Sequence, residues 1–340
     1  MRTRKKVGIG CGLLVVLLVL AGFAMWFFAP GAPSIAVDDP GDGGTRITLN
    51  DRPANFFPGQ GEGPRPAILM LGGSEGGLRE AHNKMARQLV AEGFAVLYPG
   101  YYRTSEETKL FDMVPLETFD EAIRFLESRD DVDASRIGAM GVSKGSEGVL
   151  FYASRNPAID AVVAIVPSNV VWQGFDWETL DMSQFRSSWS VNGKPVAYLP
   201  YDQPEWYEMM TGGILAMYEN SLKGLPSNPE AEIRIEEIDG PVLLLCGEAD
   251  NLWPSCSMSR DLQRRSRENG KQDVELIAYP KGGHMIYGRP RDPEDENYDQ
   301  LDQMGGTKEG NNGARIDAWP RIVTFFKKTL GDGGDSTSGS

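Results

Sequence analysis

From Thr45 onward, short apolar runs alternate with stretches of helical spacing. AILMLGG (67–73) is a continuous apolar run closing in glycines, the mark of a strand buried on both faces. FAVLYPG (94–100), RIGAMGVS (136–143), AVVAIVPS, PVLLLCG and VELIAYP repeat that pattern further along. TRITL and ANFF, bounded by Asp, Pro and Gly, read as edge strands. Helical spacing falls over 79–92, within PLETFDEAIRFLESR, from Lys144, and over about 257–268 and 314–330. In PLETFDEAIRFLESR, Pro115 comes early, acids fill the first turns, and Phe119, Ile123 and Phe125 face inward. Such alternation predicts an α/β fold with right-handed crossovers, a mostly parallel central sheet and helices on both faces.

One interval breaks the rhythm. Residues 168–235 show no clear strand alternation yet hold 10 of the 32 aromatics, among them Trp172, Trp177, Trp189 and Trp206. This predicts a cap insertion over the carboxyl edge of the sheet, where open α/β sheets bind ligands. Its rings either glue the insertion together or line an acyl pocket; both settings favour aromatics.

The N-terminus is of another kind. Arg2, Arg4, Lys5 and Lys6 precede 22 charge-free residues, Val7 to Phe28, which end in Trp26, Phe27 and Phe28. A spanning helix needs about 20 apolar residues and a secretory core only about 7–15, so residues 1–29 read as an uncleaved signal anchor. The positive-inside rule then puts the body on the extracytoplasmic side, secreted if cleavage occurs near Ala29 to Ala32. Residues 30–44, rich in Pro, Gly and Asp, read as a linker, 45–330 as the catalytic domain and 331–340 as a disordered tail.

Composition narrows the chemistry. With 34 basic and 48 acidic residues the net charge is −14, which argues against non-specific nucleic-acid binding. Two histidines (His82, His284) and three cysteines (Cys11, Cys246, Cys256) leave little for a zinc cage, and no metal or cofactor is expected. Cys246, on a strand, reads as buried packing, and whether it pairs with Cys256 stays open.

GVSKG (141–145) fits the G-x-S-x-G nucleophile elbow and sits between a buried strand and a helix, the context that motif demands. Ser143 is the candidate nucleophile and needs a base. His284, in the glycine-flanked loop of PKGGHMIYG after the last strand, is that base. His82, on a helix among charged neighbours, reads as solvated or helix-capping. Asp250, in GEADN directly after PVLLLCG, would orient the imidazole; Glu248 is its nearest competitor, with Asp292 and Glu294 further off. Oxyanion donors are expected from the amide of Lys144 and from Gly73 or Ser74 in LGGSEGG. Removing one such donor typically costs about 3–4 kcal/mol of transition-state stabilisation. Glu75 and Glu147 read as local caps or supporting hydrogen-bond partners, and Arg79, Lys144 and the 168–235 insertion as shapers of the substrate pocket.

From about Pro66 to Leu330 the sequence resembles the C-terminal catalytic domain of the acyl-CoA thioesterase and bile acid-CoA:amino acid N-acyltransferase family, near the dienelactone hydrolases. LGGSEGGL, FAVLYPGYY, IGAMGVSKGSE, VLLLCGEADNLWPS, AYPKGGHMI and DAWPRIVTFFKKTL carry it, and GVSKGSE and GEADNLWPS are the more specific of these. The resemblance implies an α/β-hydrolase fold, a small acyl ester or thioester as substrate, and the family's Ser, Asp and His at Ser143, Asp250 and His284. The acyltransferase branch uses cysteine as nucleophile, so Ser143 points to hydrolysis. Only about forty residues separate the anchor from the sheet, leaving no room for the eukaryotic members' N-terminal β-sandwich. The expectation is a serine hydrolase working through an acyl-enzyme. Its alternatives are a peptidase or dienelactone-type hydrolase, or a silent tethered binding module.

Overall fold

The computed structural model describes residues 32–179, 182–202, 206–271 and 273–331. The expected signal anchor lies outside the described residues, as does the expected tail beyond Gly331. Among the described residues no helix is long and apolar enough to cross a membrane. The architecture below belongs to the compact unit that begins at Ile35.

The chain runs β1 (Thr45–Leu49), β2 (Arg52–Phe57), β3 (Arg65–Leu71), α1 (Glu80–Ala91), β4 (Ala95–Pro99) and β5 (Val114–Pro115). Next come α2 (Glu117–Glu127), β6 (Val132–Val142), α3 (Lys144–Ala153), β7 (Ala161–Ile165), β8 (Trp189–Val191) and β9 (Lys194–Pro195). The last are α4 (Trp206–Leu222), β10 (Val242–Gly247), α5 (Ser255–Glu268), β11 (Val274–Tyr279) and α6 (Lys308–Leu330). Eight strands make the main sheet in the order β1-β2-β4-β3-β6-β7-β10-β11. TRITL and ANFF supply the antiparallel edge, and pairing from β4 to β11 is parallel throughout.

The continuous apolar runs now have their reason. Leu69, Leu71, Ala139, Val162 and Leu244 feed one core layer, while Ile68, Met70, Met140, Val163 and Leu245 feed the other. A strand covered on both faces cannot alternate apolar with polar. The second layer is closed by α6: a side chain at Gly138 would come within 2.8 Å of both Phe326 and Leu330. That helix starts at Lys308, six residues before the expected 314, with Thr307 capping the amide of Gly310 at 2.9 Å. Gly310, Asn311, Asn312 and Gly313 are poor helix formers, so propensity hid its first turns.

Two further expectations change. The second half of the supposed linker is docked: Ala36 O accepts the amide of Leu78 at 2.8 Å, and the Asp38 carboxylate accepts that of Glu80 at 2.8 Å. The insertion does contain strands. Its β8 pairs with β5 and β9 in a small second sheet whose members span two or three residues, too short to show a period.

Trp172, Trp189, Tyr201 and Tyr218 of the insertion pack. Trp189 is fully buried against Tyr101, Phe111 and Phe119 of the main core. Trp172 stacks on Tyr201 and meets Tyr218 edge-on at 4.9 Å. From there Tyr218 abuts Trp253, and Trp253 abuts His284 at 5.7 Å between centroids. Cys246 and Cys256 form a disulfide from the end of β10 to the first turn of α5, settling the pairing left open by spacing.

Candidate active site

β6 ends at Val142 and α3 begins at Lys144, so Ser143 alone makes the strand-to-helix turn. Its φ of 54° and ψ of −121° are unusual for a residue with a side chain. Such a conformation costs on the order of 1–3 kcal/mol and persists only where the surroundings enforce it. Here they do. The Ser143 amide donates to Ile165 O of β7 at 2.9 Å, and its carbonyl accepts the amides of Ser146 and Glu147. The flanking glycines allow the closure: a Cβ on Gly141 would lie 2.2 Å from Gly145 O, and one on Gly145 would lie 2.2 Å from Gly72 O.

Three predicted residues meet at this turn. His284 Nε2 lies 3.0 Å from Ser143 Oγ, and His284 Nδ1 lies 2.9 Å from Asp250 Oδ2. All three are buried. The Asp250 carboxylate also accepts the amides of Leu252 and Trp253 and the hydroxyl of Ser255, at 2.7 Å for the last. Held as an acceptor on every side, it requires His284 to carry its proton on Nδ1, which leaves Nε2 to accept from the Ser143 hydroxyl. Met304 O ties the two loops together by accepting the amides of both Asn251 and His284. The competing acids stand elsewhere: Glu248 pairs with Arg260, and Asp292 caps the amide of Glu294.

Of the expected oxyanion donors, the Lys144 amide heads α3, where no earlier turn of the helix supplies a carbonyl for it. Gly73 stands against Ser143, since a Cβ there would be 3.4 Å from Ser143 Cβ. Its amide, however, donates to Glu75 Oε1 at 3.1 Å. Ser74 follows in the same turn, which Gly76 N closes on Gly73 O. Arg79 braces this loop by donating to the carbonyls of Glu75 and Gly76.

Two side chains depart from expectation. His82 is neither solvated nor a cap: it is 3% exposed, packed on Tyr98, and its nearest ionic neighbour is Glu75 at 3.6 Å. Burial pushes its pKa down, against a smaller upward pull from Glu75. The Lys144 side chain turns into the interior. It is buried, with Nζ 2.6 Å from Glu147, 2.8 Å from Ser188 Oγ and above the Phe111 ring. Glu147, fully buried, also accepts the Trp172 amide and the Trp189 indole N–H. The burial of this pair depends on residues more than forty positions away. Among the described residues, no three His, Cys, Asp or Glu side chains cluster as a metal site requires.

A mostly parallel eight-stranded sheet, crossed over by helices, with Ser143, His284 and Asp250 in hydrogen-bond contact at its carboxyl edge, is the architecture of an α/β-hydrolase. The chain belongs to the BAAT / acyl-CoA thioester hydrolase C-terminal family, whose model matches residues 114–332. Acyl-coenzyme A thioesterase 5 of Mus musculus is 30% identical over 92% of this chain and 69% of its own length. Acyl-coenzyme A thioesterase 2, mitochondrial, of Rattus norvegicus is 30% identical over 89% of this chain; the chain spans 62% of that protein. In fold, a putative dienelactone hydrolase from Klebsiella pneumoniae superposes with a TM-score of 0.52 at 16% identity, covering 84% of this chain and 98% of its own. An acylaminoacyl peptidase of Pyrococcus horikoshii reaches 0.55 at 13% identity, over 87% of this chain and 42% of its own.

The buried pair makes a pH-dependent prediction. Burial pushes the Glu147 pKa up, and Lys144 is the largest influence holding it down. In Lys144→Met that restraint goes, and the folded chain binds a proton at Glu147 more tightly than the unfolded chain does. Stability then falls as pH rises from about 4.5, the usual glutamate range, toward the raised folded value. Chemical denaturation of Lys144→Met is expected to show a loss of about 3–5 kcal/mol at pH 8 and a smaller loss at pH 5. A deficit independent of pH would contradict the assignment.

Proposed function

We propose that this chain hydrolyses acyl thioesters or esters through an acyl-enzyme on Ser143. The observation that carries the proposal is the unbroken relay from Ser143 Oγ to His284 at 3.0 Å and from His284 to Asp250 at 2.9 Å. Membership of a family whose relatives are named acyl-CoA thioesterases supports the thioester class.

The geometry supports the following steps. His284 Nε2 takes the hydroxyl proton as Ser143 Oγ attacks the acyl carbon, and the carbonyl electrons move onto oxygen. That oxyanion is held by the Lys144 amide together with Gly73 or Ser74. Collapse breaks the bond to sulfur or oxygen, and His284 gives its proton to the leaving thiol or alcohol. Water then loses a proton to His284 and adds to the acyl carbon; the second collapse frees the acid and returns the proton to Ser143. Asp250 stays ionised and stabilises the imidazolium formed in each half. A serine nucleophile favours transfer to water over transfer to an amine.

Hydrolysis of a chain-length series of acyl-CoAs and p-nitrophenyl esters tests this. Ser143→Ala is expected to lower kcat by about 10⁴-fold or more, and Asp250→Asn by about 10²–10⁴-fold through the wrong imidazole tautomer. A wild-type chain that turns over none of the series and resists fluorophosphonate would leave the binding-module alternative.

We also propose an extracytoplasmic, membrane-tethered location. The 22 charge-free residues behind four basic ones support it, and so does a disulfide beside the site, since disulfides persist in oxidising compartments. Alkaline carbonate washing of membranes bearing the full chain should leave it in the pellet; complete release would refute the tether.

A further inference from the structure

Two oddities lie within one loop of the nucleophile. The Gly73 amide, placed to receive an oxyanion, is spent on Glu75 Oε1. The other carboxylate oxygen presses on the same residue: a Cβ at Gly73 would be 2.7 Å from Glu75 Oε2. A carboxylate therefore occupies the amide that an oxyanion formed at Ser143 would need, and it would repel that charge. Behind it, His82 is buried with neither ring nitrogen hydrogen-bonded, and its Nε2 lies 3.6 Å from Glu75 Oε1. Buried N–H groups without partners are costly and rare, so this one calls for a use.

We propose that Glu75 is a displaceable plug on the oxyanion amide, and that His82 is the positioning residue that takes its carboxylate away when a substrate carbonyl enters. The proposal rests on Ser143 being the nucleophile. The loop backbone need not move for the exchange, because Arg79 holds the carbonyls of Glu75 and Gly76 and the Gly73–Gly76 turn is closed by its own hydrogen bond. The Glu75 side chain is 29% exposed, which leaves it room to rotate. Tyr98, packed on the His82 ring, does not compete, since its hydroxyl donates to Gly77 O. A neutral imidazole suffices, as its one N–H is the donor the carboxylate needs.

The second-order rate at which a fluorophosphonate labels Ser143 in the full chain reads the state of this amide, because the probe's phosphoryl oxygen uses the same donors. If the open state holds about one part in ten of the resting enzyme, Glu75→Ala speeds labelling about 3- to 10-fold. His82→Leu slows it by a similar factor when Glu75 is present and has no effect in the Glu75→Ala background. His82→Gln, which keeps a donor near the Nε2 position, restores the rate. An equal loss from His82→Leu in both backgrounds would mean a merely structural histidine and would overturn the proposal. Should His82→Leu fail to fold, Glu75→Ala decides alone: faster labelling supports the plug, equal or slower labelling overturns it. Absence of labelling at Ser143 in every form, wild type included, would instead remove the nucleophile reading on which the plug depends.

Discussion

The turn at Ser143 is the constraint on which the rest of this molecule is built. A residue with a side chain is held at φ 54° between a strand and a helix, and the fold secures it from three directions. Ile165 O of β7 fixes the Ser143 amide, the first turn of α3 fixes its carbonyl, and Gly145 lies so close to Gly72 that only glycine fits. That last contact also brings the LGGSEGG loop against Ser143. One close approach thus fixes the Ser143 turn and the Gly72–Gly73 backbone against each other. The strain is local, and the parallel sheet that resists it contributes side chains to both apolar core layers.

The insertion is fastened to the same turn. Glu147 stands one helical turn beyond Ser143 and binds Lys144, the Trp172 amide and the Trp189 indole, while Lys144 reaches Ser188. An ion pair this deeply buried contributes little net stability over an apolar replacement. Its partners explain its position, because they register strand β8 and the aromatic cluster against α3. The ring contacts then run through Trp172, Tyr218 and Trp253 to His284, which ties the insertion to that side chain. On the other side the disulfide spans the loop that carries Asp250.

What could be read in the sequence was whatever local pattern encodes. Strands buried on both faces announce themselves as unbroken apolar runs, and G-x-S-x-G between such a strand and a helix marks the elbow. Serine, acid and histidine, each just past a strand, gave a constellation whose members the fold does bring together. Features set by distant partners were not legible. The burial of His82 depends on the loop packed above its helix, that of Lys144 on Ser188, and the hold of Glu75 on Gly73 on a turn conformation. Strands β8 and β9 were too short for any period, and the first turns of α6 were hidden by glycines and asparagines.

Covalent transfer of an acyl group to Ser143 is the central claim, and intact-protein and peptide mass spectrometry of an acid-quenched reaction with an acyl thioester tests it most directly. The expected result is one added acyl mass on the peptide containing Ser143 at early times, decaying as the acid is released, and none in Ser143→Ala. Turnover of the thioester with no acyl adduct, and with Ser143→Ala as active as the wild type, would contradict it.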